Sequence, residues 1–231
     1  MTTETRGSAA ISWLPSPHHP YEDRFRLLSA DVPLVAKQNR GEIYAVFDGV
    51  GSAPKGMAAA QTMADCLVTF FTEDAVDLTK LLYDTNVTIH EWGHIDGSER
   101  PQGACAGTIA LVQGNELTFL HAGDTVGVRL RSNERPRVLT TPQERGGAIY
   151  SYFGIGAGLE IEITRTTLEE DDLILLLSDG VTKAFHILDA AKMVLDRYER
   201  TGSCASAIGE LVELSRRRGS SDDITALVVA I

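Results

Sequence analysis

Amphipathic helices occur in this chain as two pairs, with strand-like segments before, between and after them. Met57, Ala60, Ala64, Leu67, Val68 and Phe71 recur at helical spacing, as do Leu78, Leu82, Thr85, Ile89 and Trp92. A second pair is marked by Ile187, Ala191, Val194 and Tyr198, then by Ile208, Leu211, Val212 and Ser215. Residues 24–29, 42–47, 108–113, 116–122, 125–131, 160–166, 173–178 and 224–231 alternate or run apolar with β-branched residues, as strands do. Gly114-Asn115 predicts a hairpin between two of them. This grouping is not the regular alternation of a parallel α/β sheet. It predicts an α+β fold of antiparallel sheets covered by helix pairs. With 231 residues and no internal linker or repeat, a single domain over 1–231 is expected, with residues 1–8 as a loose N-terminus.

The net charge of −11 argues against a nucleic-acid or anionic-membrane partner, since both reward a basic patch. The N-terminal stretch has no apolar signal core, and the longest apolar run, 173–177, is strand-sized. Cys66, Cys105 and Cys204 are odd in number and lack metal-type spacing, which predicts reduced thiols and a cytoplasmic protein.

The acid surplus is placed unevenly. EIYAVFDG ends a strand in Asp48-Gly49, LILLLSDG ends another in Asp179-Gly180, and LTFLHAGD ends a third in Asp124. Asp222-Asp223 precedes the terminal strand, and Glu22-Asp23 precedes the first strand-like segment. Taken singly, each is an ordinary turn or helix-cap residue. Taken together, carboxylates converging at strand ends become stable if they share divalent cations, and hard ions such as Mg²⁺ and Mn²⁺ prefer oxygen ligands. A glycine after the aspartate removes a side chain, so a carbonyl or a substrate can approach closely.

FDGVG, GTIALV, HAGDT, LLLSDG and SDDIT occur in an order and spacing that resemble the metal-dependent (type 2C) serine/threonine protein phosphatases, from about Glu22 to Ile231. The resemblance implies a four-layer αββα sandwich with a two-metal site at one end of the central sheets. It implies that Asp48 bridges two ions, Mn²⁺ or Mg²⁺, that Asp179 and Asp222 hold one of them, and that the Gly49 carbonyl and the Glu22-Asp23 pair hold the other. Such ions activate water for in-line displacement at phosphorus. The catalytic set so implied is Asp48, Asp179 and Asp222. The implied partners are phosphoserine and phosphothreonine proteins, including a serine/threonine kinase or its substrates.

The chain departs from the family at three places. Many members carry an aspartate four residues after the SDG aspartate, where it helps hold a third metal; here that residue is Lys183, while Asp124 is kept. Either the Lys183 ammonium replaces that cation near Asp124, or it is a solvated lysine at a helix start. SPHHP stands where members often have a phosphate-gripping arginine, leaving His18, His19 or Arg24 as substitutes. Val50 stands where animal members have a histidine, and His121 reads as a core residue. The flap is short, which predicts an open site or reliance on a partner.

Two other readings compete. A degraded site on the same fold could bind phosphoproteins or a kinase without turnover. His90-Glu91-Trp92-Gly93-His94 matches the H-E-x-x-H pattern of zinc proteases, but the stretch reads as a helix ending near Trp92 with no third ligand on a following helix.

Overall fold

The computed structural model describes residues 1–6, 8–95 and 101–231, with the backbone alone for Arg6, His94 and Ile95. Its elements in chain order are β1 (Thr2–Arg6), β2 (Ala9–Leu14), β3 (Arg24–Leu28), α1 (Pro33–Gln38), β4 (Glu42–Gly49), α2 (Gly56–Thr72), α3 (Leu78–Ile95), β5 (Cys105–Gln113), β6 (Glu116–Ala122) and β7 (Val126–Leu130). They continue with β8 (Arg137–Val138), β9 (Glu144–Arg145), β10 (Ala148–Ile149), β11 (Glu162–Thr167), β12 (Leu173–Leu177), α4 (Asp179–Thr182), α5 (Ile187–Thr201), α6 (Cys204–Arg217) and β13 (Ile224–Ala230).

Eleven of the strands form two antiparallel sheets. One has the order β1-β2-β13-β12-β7-β8 and the other β11-β6-β5-β4-β3, while β9 and β10 form a small separate hairpin. Strand periodicity explains why both sheets are buried on two faces. On β4, Ile43, Ala45 and Phe47 pack with Met63 and Leu67 of α2 and Leu82 and Ile89 of α3. Tyr44 and Val46, on the opposite face, pack with Ile174, Leu176 and Leu227 of the other sheet. Leu173, Leu175 and Leu177 of β12 meet Val194 of α5 and Leu211 of α6. The layers therefore run helices, sheet, sheet, helices, as the α+β expectation has it. Strands covered on both faces read as continuous apolar runs such as LILLL.

The expectation of a loose N-terminus over residues 1–8 is corrected. Thr2–Arg6 is a strand in register with β2, from Thr2 opposite Trp13 to Arg6 opposite Ala9. β2 in turn pairs with β13 along six residues. β1 is an edge strand whose described residues are exposed, so its polar sequence carries no apolar alternation. The helix expected to end near Trp92 instead continues to Ile95. Among the described residues no helix is long and apolar enough to cross a membrane.

Candidate active site

Strand register gathers the carboxylates at one end of the sandwich. Arg24 stands opposite Phe47 in the β3–β4 pair, so Glu22 and Asp23 lie beside Asp48 and Gly49. Leu177 is flanked by Ala226 of β13 and Val126 of β7, so Asp179 emerges between Asp222 and Asp124. On β4, Asp48 continues the face of Tyr44 and Val46 that looks toward the other sheet. Both Asp-Gly glycines are required by backbone crowding. A Cβ at Gly49 would stand 2.8 Å from the Gly56 carbonyl carbon and 3.0 Å from the Glu22 carbonyl oxygen, and one at Gly180 would overlap the Asp223 carbonyl.

The result is a cavity of about 170 Å³ lined by Glu22, Asp48, Asp124, Asp179 and Asp222, with Lys183, Val50 and Ile149 completing its walls. Burial pushes Asp48 well above the ordinary carboxylate range, and the charges of Asp23, Asp179, Asp124 and Asp222 push it further. Burial raises Asp179 too, against the pull of Lys183. It lifts Asp124 to about 6. Asp222 alone falls below its ordinary value: partial burial opposes ionisation there, but the hydrogen bond and charge of Lys183 outweigh it.

Lys183 does not pair with Asp124. Its Nζ lies 2.5 Å from Asp179 Oδ2 and 2.5 Å from Asp222 Oδ2, so the ammonium bridges these two carboxylates. Its side chain is 53% exposed, yet these two contacts hold its ammonium at the acids. Asp23 lies behind the cavity rather than on its wall. It is fully buried; Tyr21 and Thr225 share a hydroxyl–hydroxyl bond of 2.7 Å, and Thr225 Oγ1 donates to Asp23 Oδ2 at 2.6 Å. Asp23 Oδ1 is buried without a partner. Asp223, beside Asp222, has a different task. Its two oxygens accept from the Ser16 and Glu22 amides, each at 2.6 Å, and clamp the SPHHP loop against the cavity.

Of the three residues offered as phosphate partners, only His19 reaches the rim, with Nε2 3.7 Å from Asp222 Oδ1 and Nδ1 3.8 Å from Glu22 Oε2. Arg24 is corrected: its Nε donates to Gln61 Oε1 at 2.7 Å, and its NH1 donates to the Tyr21 and Asp23 carbonyls. His18 is exposed, and neither lines the cavity. Sequence reasoning missed Asp223, Thr225 and Tyr21 as supports, because each acts through a partner about 200 residues away. The acidic pair at 222–223 was visible, but not the division of labour within it.

His121 is the core residue its setting suggested. It is buried, which lowers its pKa from the ordinary histidine value, with Nδ1 2.9 Å from the Thr108 hydroxyl and Nε2 3.2 Å from the Thr141 carbonyl. The H-E-x-x-H stretch lies on α3, away from the carboxylates. His90 packs on Gly156, with Nδ1 3.2 Å from the Gly154 carbonyl, while the His94 side chain lies outside the described residues. One turn earlier, the buried Asn86 side chain receives the Gly154 and Gly156 amides and donates to the Gly156 carbonyl. This part of α3 thus anchors a loop, which corrects the zinc-protease reading of His90.

The donor set fits hard divalent ions: five carboxylates, a glycine carbonyl, and one buried carboxylate oxygen still without a partner. Among the described residues, however, no group of three or more Asp, Glu, His and Cys stands close enough to be a ready-made metal cage.

The family model described as Stage II sporulation protein E (SpoIIE) matches residues 40–231. The chain belongs to the SpoIIE family. No curated protein matches it in sequence. Among solved structures, it is similar to the serine/threonine phosphatase Stp1 from Staphylococcus aureus, at 16% identity with a TM-score of 0.81, covering 100% of this chain and 97% of that one. It is similar to PppA of Pseudomonas aeruginosa at 20% identity and a TM-score of 0.78, covering 99% of both chains. It is also similar to the Mycobacterium tuberculosis serine/threonine phosphatase PstP/Ppp at 19% identity and a TM-score of 0.76, covering 96% of this chain and 97% of that one. This SpoIIE-family chain therefore has the metal-dependent phosphatase fold.

Proposed function

We propose that the chain is a metal-dependent protein phosphatase that hydrolyses phosphoserine and phosphothreonine, acting as one catalytic domain in the cytoplasm. The observation that carries this is the convergence of Asp48, Asp124, Asp179, Asp222 and Glu22 on one small cavity of the phosphatase fold. Asp48, Asp179 and Asp222 on one side, and Asp48, the Gly49 carbonyl and Glu22 on the other, would hold two Mn²⁺ or Mg²⁺ ions, with Asp23 behind them. When bound, such ions polarise a phosphoryl oxygen and make a water nucleophilic at neutral pH.

The rest falls to the chain's own residues. Among the described residues lining the cavity there is no Ser, Thr, Cys or His side chain; with the carboxylates engaged in holding the ions, a water would be the attacking group. Asp223 fixes the Glu22 amide, and Thr225 fixes Asp23, which together hold the β3 side of the cavity in place. Val50 and Ile149 give it two apolar walls. Lys183 bridges Asp179 and Asp222, so at least one of these carboxylates would have to leave it in order to hold a cation. Protein substrates, including a serine/threonine kinase or its targets, suit the family; PppA is described as a key regulatory component of T6SS in Pseudomonas aeruginosa.

The bridging of Asp179 and Asp222 by Lys183 favours a second reading, a phosphoprotein-binding module without turnover. One experiment separates the two. Metal-stripped protein is re-supplied with Mn²⁺, Mg²⁺ or Zn²⁺ and given an aryl phosphate and a phosphothreonine peptide, with Asp48→Asn and His90→Ala alongside. Turnover restored by Mn²⁺ or Mg²⁺ and lost only in Asp48→Asn supports the phosphatase. Binding without turnover under any metal supports the module.

A further inference from the structure

The acid cavity has two larger neighbours, and they differ in chemistry. On one side a cavity of about 360 Å³ shares Asp124, Asp179 and Lys183 and adds Glu144 and His186. On the other a cavity of about 460 Å³ shares only Val50 and Ile149, and no charged side chain lines it among the described residues. Its walls are Val50, Ala53, Ala104, Ala148, Ile149 and Tyr152, from the loop after β4, the approach to β5 and the short hairpin β9–β10. The hairpin that remains of the flap is therefore a wall of this cavity rather than a lid over the acids.

That wall is fixed. The Tyr150 amide donates to the Gln143 carbonyl, Gln143 bonds through its side chain to the Gly123 amide and the Glu160 carbonyl, and Phe153 exchanges backbone hydrogen bonds with Cys105. Gly146 and Gly147, with φ of 61° and 78°, make the tight turn that places Ala148 and Ile149 there. A preformed cavity whose described walls carry no charge, beside an anion-handling centre, suits an apolar side chain. Because the two cavities share the Val50 and Ile149 walls, a residue next to the phosphorylated one is the group that reaches it. Neighbouring side chains in an extended peptide diverge, and successive Cα atoms are about 3.8 Å apart.

We propose that this cavity is a side-chain subsite that receives an apolar residue adjacent to the phosphoserine or phosphothreonine of the substrate. The proposal rests on the phosphatase reading of the acid cavity. It makes the chain selective despite its short flap: the sequence suggested an open site, whereas the shape beside the acids discriminates by neighbour. A charged neighbour would lose its hydration against Val50, Ile149 and the three alanines, with no oppositely charged side chain among the described residues to replace it.

Phosphoserine peptides with Leu, Gly or Glu at the position before or after the phosphorylated residue test this, with an aryl phosphate as a substrate that has no neighbours. Leu at one of the two positions is expected to raise kcat/KM about tenfold over Gly, with Glu lowest, in line with partial burial of one leucine side chain. Filling the cavity with Ala148→Trp should bring the Leu-to-Gly ratio toward one. The ratio is the readout, so a general loss of activity does not imitate the effect. Peptide rates within twofold of each other in wild type, with aryl phosphate and peptides all hydrolysed, would overturn the subsite and leave the phosphatase standing. Absence of all turnover would overturn the phosphatase. In that case fluorescence anisotropy of the same peptides on Asp48→Asn protein decides the subsite: Leu-selective binding keeps it, and equal or absent binding removes it. A dimer that Ala148→Trp splits would assign the cavity to a second copy and overturn the inference.

Discussion

Strand β12 carries a carboxylate at each end, one fully buried and one partly exposed, and the two are treated in opposite ways. Asp172, just before Leu173, is fully buried and receives Arg131 Nε and NH2, each at 2.7 Å, as a bidentate pair. It also accepts from the Glu169 amide. Arg131 further meets Glu134 and Glu169. Asp179, just after the strand, shares its cavity with four other acids and one partly exposed lysine. The first end is a finished ion pair. The second concentrates negative charge, which is costly for a fold unless something else supplies positive charge. An arginine neutralises the buried acid at the structural end, whereas no arginine among the described residues lines the acid cavity, which suits the metal-holding role proposed for those acids.

The largest test of that contrast exchanges one acid at each end. Asp48→Asn should abolish metal-dependent turnover while leaving the metal-free melting temperature unchanged or higher, since it removes a buried ionisable group that burial and neighbouring acids disfavour in its charged form. Asp172→Asn should do the reverse, costing about 2 kcal/mol, or roughly 4–8 °C in melting temperature, with turnover retained. Equal loss of stability in the two variants would erase the distinction.

The two ends should also respond to pH with opposite sign. For Asp172, burial opposes ionisation but the Arg131 bonds outweigh it and hold the carboxyl below its ordinary value. Its stabilisation is complete above the unfolded carboxylate value near 4 and is lost as pH falls through the lower folded one. At the other end, burial raises Asp48 and Asp179, and lifts Asp124 to about 6. Groups of that kind stabilise the fold below the unfolded value and lose the contribution as pH rises through the folded one. In chelator, the melting temperature should therefore fall between about pH 4 and pH 6 and beyond as pH is raised. Asp48→Asn should flatten that slope, and saturating Mn²⁺ should remove it. A slope identical in wild type and Asp48→Asn, read by calorimetry, would break the account.

A smaller effect concerns glycine packing at the acid end. Gly49→Ala should cost roughly 1–3 kcal/mol, because the new methyl must displace the Gly56 or Glu22 backbone. Denaturant unfolding would show it, and an unchanged midpoint would mean that the Glu22 loop yields freely.

The smallest expected effect is at Lys183. Lys183→Met should tighten Mn²⁺ binding severalfold by calorimetric titration and lower the metal-free melting temperature by a degree or two, because Asp179 and Asp222 lose their shared cation. Unchanged affinity together with unchanged melting would reduce Lys183 to a surface residue.

Much of the architecture was legible in the chain because it is written in local periods. Alternation and apolar runs marked the central strands, and 3.6-residue spacing marked both helix pairs. The edge strand β1 was not legible, since an exposed edge needs no apolar face, and TTETR gives no period to read. Nor was α1, six residues long with a single buried side chain, Val35.

The candidate site divides along the same line. The sequence by itself placed Asp48, Asp124, Asp179 and Asp222 at the ends of apolar strands, and each paired glycine beside its aspartate, because these are nearest-neighbour facts. Only the tertiary structure decided which of two adjacent aspartates faces the cavity, that Asp223 holds the Ser16 and Glu22 amides, and that Lys183 spans Asp179 and Asp222 and not Asp124. It also moved Arg24 onto Gln61 and made the short hairpin a cavity wall. The reason is physical. A local period fixes which face of a strand a side chain occupies, whereas the partner of that side chain is set by strand register between segments as much as 200 residues apart.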